Sequence, residues 1–157
     1  LDLFSNSEFV EKKWKIIMVT QDSRLAFDLK NMMLPFCEII SPADDDELIH
    51  LIDQSKLMFF TSEYEGLGLP PLEAMARGLP VVTYKTYPLT EYFSSNELSN
   101  LLVEDTLSAI SVINEILASN EKYLHYSNLC KEFVQSAFSE NYALEFNDYI
   151  QNNRSEK

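Results

Sequence analysis

A parallel α/β fold, a sheet flanked by helices, is what this sequence predicts, and three observations carry the prediction. Short apolar runs rich in β-branched and aromatic residues alternate with stretches of helical periodicity. The runs are apolar on both faces, as strands buried in a parallel sheet are. Beyond residue 104 the strand signals stop and only helical spacing continues. Strands separated by helices of about ten residues imply right-handed βαβ units.

The elements follow in order. Residues 14–20, WKIIMVT, read as the first strand. Residues 23–34 place Leu25, Leu29, Met32 and Met33 at helical spacing, and Pro35 ends that helix. Residues 36–41, FCEIIS, form a second strand. The next segment, ADDDELIHLIDQS, opens with acids, which suit the positive end of a helix, and continues with Leu48, Ile49, Leu51 and Ile52. Residues 56–61, 79–84 and 100–104 are the third, fourth and fifth strands. Asp105 or Thr106 is placed to cap a helix with Leu107, Ile110, Ile113 and Leu117 on one face. Asn120 is placed to cap another, with Tyr123, Cys130, Phe133, Val134 and Ala137. A last helix near 140–151 carries Tyr142, Phe146, Tyr149 and Ile150. Aromatics at this spacing are packing residues.

A length of 157 residues suits one domain, read here as 1–151, with a polar tail at 152–157 that is expected to fray. The hydrophobic fraction of 46% against 24% charged residues is that of a globular chain. A net charge of −13 makes nucleic acid or an anionic membrane a poor partner. No stretch reaches the roughly 18 apolar residues of a membrane span, and no signal-peptide pattern opens the chain, so a cytoplasmic location is expected. The first residue is Leu1 rather than Met, from which we expect a fragment or a processed chain. Cys37 and Cys130 match no metal or disulfide spacing and read as small buried residues in a reducing compartment. His50 and His125 fall inside helical segments without a ligand pattern, so surface or packing roles are expected and no metal site is assigned.

Glycine is concentrated. The sequence has 3 glycines, Gly66, Gly68 and Gly78, where ordinary usage gives about eleven. All lie in TSEYEGLGLPPLEAMARGLPVV, residues 61–82. The third strand ends at Thr61, and a loop with two glycines follows. Pro70 and Pro71 suit the first turn of a helix, and Gly78 is placed to end it in the left-handed conformation. In open α/β sheets ligands bind at the carboxyl ends of strands, and a glycine loop entering a helix presents amides to an anion. Gly66, Leu67, Gly68, Leu69 and Leu72 are the candidate donors. Glu65 and Glu73 bracket the loop. Facing a phosphate they would repel it, so they suit ligand hydroxyls; the plainer reading is a solvated loop acid and an acid favoured near a helix start.

The segment SEYEGLGLPPLEAMARGLPVV resembles the E-x7-E signature of family 4, or group 1, retaining glycosyltransferases of the GT-B fold. DDDELIHLIDQSKLMFFTS resembles the preceding helix and strand, and YPLTEYF the following turn and helix. The resemblance implies the C-terminal, donor-binding half of a GT-B enzyme: a Rossmann-like parallel sheet flanked by helices, with extra C-terminal helices. It implies a nucleotide-diphosphate sugar as donor substrate, held without a metal ion or other cofactor. Glu73 would take the ribose hydroxyls and Glu65, as the catalytic position, the donor-sugar hydroxyls. The backbone from Gly66 through Leu67 and Gly68 to Leu69 would approach the sugar and diphosphate. Ser41 to Ala43 would lie near the base. The reaction implied is sugar transfer with retention to a glycan or lipid-linked acceptor, as in polysaccharide biosynthesis. The leaving diphosphate would help deprotonate the acceptor.

The departures from the family pattern are specific. The family's diphosphate-binding Arg and Lys follow a strand expected before Leu1, and the N-terminal acceptor domain is missing, so these residues alone are expected to be inactive. The complete protein could then touch a membrane through that other half, although this domain is not expected to. Thr20, Gln21 and Asp22 stand where glycine is frequent, Tyr87 and Pro88 replace a glycine pair, and Asn100 replaces another glycine. Asn tolerates a left-handed backbone better than most residues. Two alternatives remain at this point: a non-catalytic module that kept the fold to bind a partner, and a nucleotide-sugar epimerase half.

Overall fold

The computed structural model describes residues 14–34, 36–62, 66–94 and 96–138. The last expected helix, the polar tail and Glu65 lie outside the described residues. In chain order the elements are β1 (Ile16–Val19), α1 (Ser23–Asn31), β2 (Cys37–Ile40), α2 (Asp45–Gln54), β3 (Met58–Phe60) and α3 (Leu69–Ala76). There follow β4 (Val81–Tyr84), α4 (Leu89–Tyr92), a 3-10 helix (Asn96–Leu101), β5 (Leu102–Val103), α5 (Thr106–Ala118) and α6 (Asn120–Ala137).

Among the described residues every ladder is parallel, as the apolar runs predict. β1 pairs with β2, Ile16 opposite Cys37 and Val19 opposite Ile40. β4 lies between β3 and β5, with Phe60 opposite Thr83 and Tyr84 opposite Val103. Among the described residues the sheet is therefore in two pieces, with no ladder joining β1 to β3. Trp14 and Ile16 nonetheless pack against the main core.

That core surrounds β4. Val81, Val82 and Thr83 are 0% exposed, because β3 flanks all three, β5 reaches Thr83, and α3, α5 and the 3-10 helix pack against β4. Met75 of α3, Leu89 of α4, Phe93 and Ile116 of α5 complete it. α6 lies on α3 and α5, and Ser127 Oγ donates to the Gly78 carbonyl at 2.7 Å. The C-terminal helices thereby fix the end of the helix that carries the site. Gly78 ends it at φ 79°, as the sequence predicts. A Cβ at Gly78 would also lie 3.1 Å from Ser127 Oγ and 2.2 Å from Cε of Lys131, whose flexible end can swing aside. Backbone strain therefore dominates, and Gly78→Ala is expected to lower stability by about 1–2 kcal/mol in denaturant melts.

Several local expectations are corrected. On α1 the buried residues are Ala26 and Leu29 while Leu25 faces solvent; the helix ends at Asn31, so Met32 and Met33 lie beyond it and are exposed. On α5 Ile110 and Ile113 are buried as expected, together with Ala109 and Ile116, whereas Leu107 is exposed. The cap of α5 is Asp105, in a capping box with Ser108. Ser119, not Asn120, caps α6: its hydroxyl accepts from the Lys122 amide. Asn100 lies within the 3-10 helix and needs no left-handed backbone. Cys130 is buried, its thiol pushed up to about 11 by desolvation, whereas Cys37 is only half-buried. His50 bonds the Gln54 side chain and His125 pairs with Glu97, both at the surface.

Hydrogen bonds from the Ser108 hydroxyl, then from its amide, hold the Asp105 carboxyl below its ordinary value. A depressed folded pKa contributes stability that is present above the unfolded carboxylate range and lost as pH falls through the folded value. Asp105→Ala should therefore lower the melting temperature at neutral pH, and its gap from the parent should close in acid. A gap of constant size from neutral pH to strong acid would contradict this.

Candidate functional site

The site is built where β3 and β4 end. β3 stops at Phe60, and the chain enters α3 through Gly68, the N-cap, at φ 69° and ψ 49°. That is the left-handed region, which glycine enters without steric cost. An added Cβ there would meet Leu89 Cδ2 at 3.1 Å and Pro71 Cγ at 3.4 Å. At Gly66 a Cβ would meet nothing within 4 Å, so the loop is open to a ligand on that side. Leu67 and Leu69 are 60% and 57% exposed.

The anion-binding capacity of this turn is narrower than the sequence suggests. Pro70 and Pro71 fill the second and third helical positions and have no N–H. The Leu72 amide donates to the Gly68 carbonyl at 3.3 Å, so Leu72 is removed from the candidate donors. The amides of Gly66, Leu67, Gly68 and Leu69 are those left to meet a ligand.

Glu73 is the fifth residue of α3, at the start of the second turn rather than within the first. Pro71, Leu72, Ala74 and Met75 face the core, while Leu69 and Glu73, four residues apart, share the exposed stripe. Helical side chains lean toward the N-terminus, which from Glu73 is the direction of the glycine turn. Among the described residues it has no hydrogen-bond or ion-pair partner. Arg77, one turn on, is held by Asp53 at 2.6 Å and does not neutralise it.

At the end of β2, Ala43 is buried and its carbonyl accepts from Gln21 Nε2 at 2.9 Å. This bond ties the loops leaving β1 and β2 together. Ser41 Oγ is closed to solvent and has no partner among the described residues. After β4, Thr86 donates its amide to the Tyr84 carbonyl at 2.8 Å, and Lys85 is held by Glu104. Tyr87, in the loop that follows β4, stands 61% exposed. Sequence reasoning saw Tyr87 only as a lost glycine; an aromatic at the carboxyl end of a strand was the available signal. The structure brings Gly66, Leu67, Gly68, Leu69 and Glu73 to one edge, with Ser41 and Ala43 at the same end of the β1–β2 pair. A cavity of ≈ 250 Å³ lined by Lys15, Phe36, Cys37 and Glu38 lies at the start of β2, the opposite edge, and is separate from this site.

Parallel ladders, helices on the sheet and an open glycine turn at the carboxyl edge define a Rossmann-like α/β domain. Residues 30–138 match the family of group 1 glycosyl transferases, and the chain belongs to that family. Its fold is that of the C-terminal domain of GT-B glycosyltransferases. The structure of TarM aligns with a TM-score of 0.66 and 20% identity, over 91% of this chain and 30% of that one. WaaG, a glycosyltransferase involved in lipopolysaccharide biosynthesis, aligns with a TM-score of 0.65 and 19% identity, over 85% of this chain and 37% of its own. The pneumococcal O-GlcNAc transferase GtfA, solved with UDP and GlcNAc, aligns with a TM-score of 0.64 and 13% identity, over 87% of this chain and 29% of its own. ORF378 of Acidianus filamentous virus 2, a protein assigned as a glycosyltransferase, is 52% identical over 40 residues. That stretch is 26% of this chain and 11% of ORF378. The chain thus spans a minor part of the proteins it matches. Among the described residues no helix is long and apolar enough to cross a membrane.

Proposed function

We propose that this chain is the nucleotide-sugar-binding part of a retaining glycosyltransferase that transfers a sugar from a nucleotide-diphosphate donor to a glycan or lipid-linked acceptor. The observation that carries the reading is a turn open at Gly66 and left-handed at Gly68, followed one helical turn later by Glu73, exposed and without a partner among the described residues. In this reading the amides of Gly66 to Leu69 meet the diphosphate, Glu73 accepts from the ribose hydroxyls, and Ser41 to Ala43 border the base. Glu65, outside the described residues, takes the donor-sugar hydroxyls. With Ala43's carbonyl engaged and Ser41's hydroxyl enclosed, contact with the base falls to the surface of that loop.

Catalysis in such a site comes from holding the anomeric carbon against the acceptor and stabilising charge on the departing phosphates. The leaving phosphate takes the acceptor proton, so no side-chain nucleophile is required. The acceptor domain and the basic residues for the diphosphate would come from other parts of the protein. The short share of its relatives that this chain spans favours that view, and among the described residues no ladder joins β1 to β3. In a doubly wound sheet the first strand lies between the positions of β1 and β3.

A second reading is a GT-B-like module that binds a partner and does not turn over. The replacement of a glycine pair by Tyr87 and Pro88, and the engagement of Lys85 by Glu104, favour it. Titration with UDP-, GDP- and ADP-sugars, followed by a turnover assay, separates the two. Binding with transfer supports the enzyme, binding without transfer supports the module, and absence of all binding removes the donor site.

A further inference from the structure

The loop after β4 carries a side chain that the fold does not use. The Tyr84 hydroxyl bonds Thr106 at 3.0 Å, and its ring stands edge-on to Phe59 at 5.3 Å. Tyr92 packs on Phe133 at 6.0 Å. Tyr87, between them in sequence, is 61% exposed, and its hydroxyl has no partner among the described residues. Leu67 and Leu69, which follow the adjacent strand β3, are likewise largely exposed. An apolar cluster at the mouth of a polar site is where a ligand's uncharged surface is met.

Sheet order decides which part of a ligand that is. β3 and β4 run parallel and adjacent, so their carboxyl-end loops emerge side by side. A Cβ at Gly68 would lie 3.1 Å from Cδ2 of Leu89, two residues beyond Tyr87, so the start of α4 packs against the Gly68 turn. β2 leads through α2 into the far side of β3, and α2 sits beside α3 through the Asp53–Arg77 pair. A nucleotide with its base over the β2 end and its diphosphate over Gly66 to Leu69 therefore carries its third part, the sugar, toward the loop after β4. The face of an aromatic ring is negative, so it disfavours phosphate and attracts the positively polarised C–H groups of a sugar ring.

We propose that Tyr87 is a specificity residue for the donor, its ring packing against the C–H face of the transferred hexose. The inference rests on the donor-site reading and adds a residue to it. The test is equilibrium binding of UDP, GDP and ADP, and of UDP-glucose, GDP-mannose and ADP-glucose, to the parent protein and to Tyr87→Ala, Tyr87→Phe and Glu73→Ala. Tyr87→Ala should weaken the preferred nucleotide-sugar roughly threefold to tenfold while leaving the matching free diphosphate unchanged. Tyr87→Phe should retain both affinities. Melting temperatures of the two Tyr87 variants should match the parent, since the side chain packs little. If Glu73→Ala weakens both ligands while Tyr87→Ala weakens neither, or weakens both equally, the sugar contact is overturned and the donor site stands. A parent protein that binds none of the six compounds overturns both.

Discussion

Gly68→Val is expected to cut nucleotide-diphosphate affinity by about 100-fold and to lower stability at the same time. Gly68 holds φ 69°, where a β-branched residue is strained by about 1–3 kcal/mol. Its new Cβ would sit 3.1 Å from Leu89, which is 0% exposed and has no space into which to withdraw. The turn must then shift, and the amides of Gly66 to Leu69 move with it. Losing two charge-assisted hydrogen bonds at about 1.5 kcal/mol each gives the 100-fold. Gly68→Asn provides the control, since Asn enters the left-handed region more readily, and it should fall between parent and valine. Isothermal titration against melting temperature reads both effects. A valine variant that binds as tightly as the parent would remove the glycine turn from the account.

Glu73→Ala should weaken donor binding by about 1–3 kcal/mol, the scale of lost and unsatisfied hydrogen bonds to a charged group. Unlike the glycine change, it should leave folding intact. Glu73 is exposed and without a partner among the described residues, and alanine is a strong helix former. The loss should appear with free nucleotide diphosphate as well as with nucleotide-sugar, because the contact is with ribose. Unchanged affinity in a folded Glu73→Ala protein would withdraw the ribose role.

Much of the fold was legible because its signals are local. β4 reads apolar at every position but Thr83, and the structure buries Val81, Val82 and Thr83 completely. Gly78 predicts its own left-handed φ, and two prolines after Gly68 mark the start of α3. Helix faces were less legible. Leu107 and Leu25 fit a helical stripe as well as their buried neighbours do, and only the placement of the sheet decides which edge of the helix is covered. The cap of α6 turned on a choice between adjacent Ser119 and Asn120, both good capping types, and backbone extension at Ser119 decided it. The division of the sheet depends on which strands lie beside one another, and periodicity says nothing of that.

At the site, spacing placed Glu73 near the glycine turn, but the loss of Leu72 as a donor required the helix itself, where that amide closes the first turn. Tyr87 escaped notice because exposure is a tertiary property. In sequence it is one aromatic among 8 tyrosines.

The central claim is that the turn from Gly66 to Leu69 grips a diphosphate while Glu73 holds the ribose. A crystal structure of the protein with UDP, GDP or ADP bound tests it most directly. The account predicts phosphate oxygens within about 3.2 Å of the amides between Gly66 and Leu69, and the Glu73 carboxylate on the ribose hydroxyls. A nucleotide seated elsewhere on the chain, or one whose ribose leaves Glu73 in solvent, would contradict it.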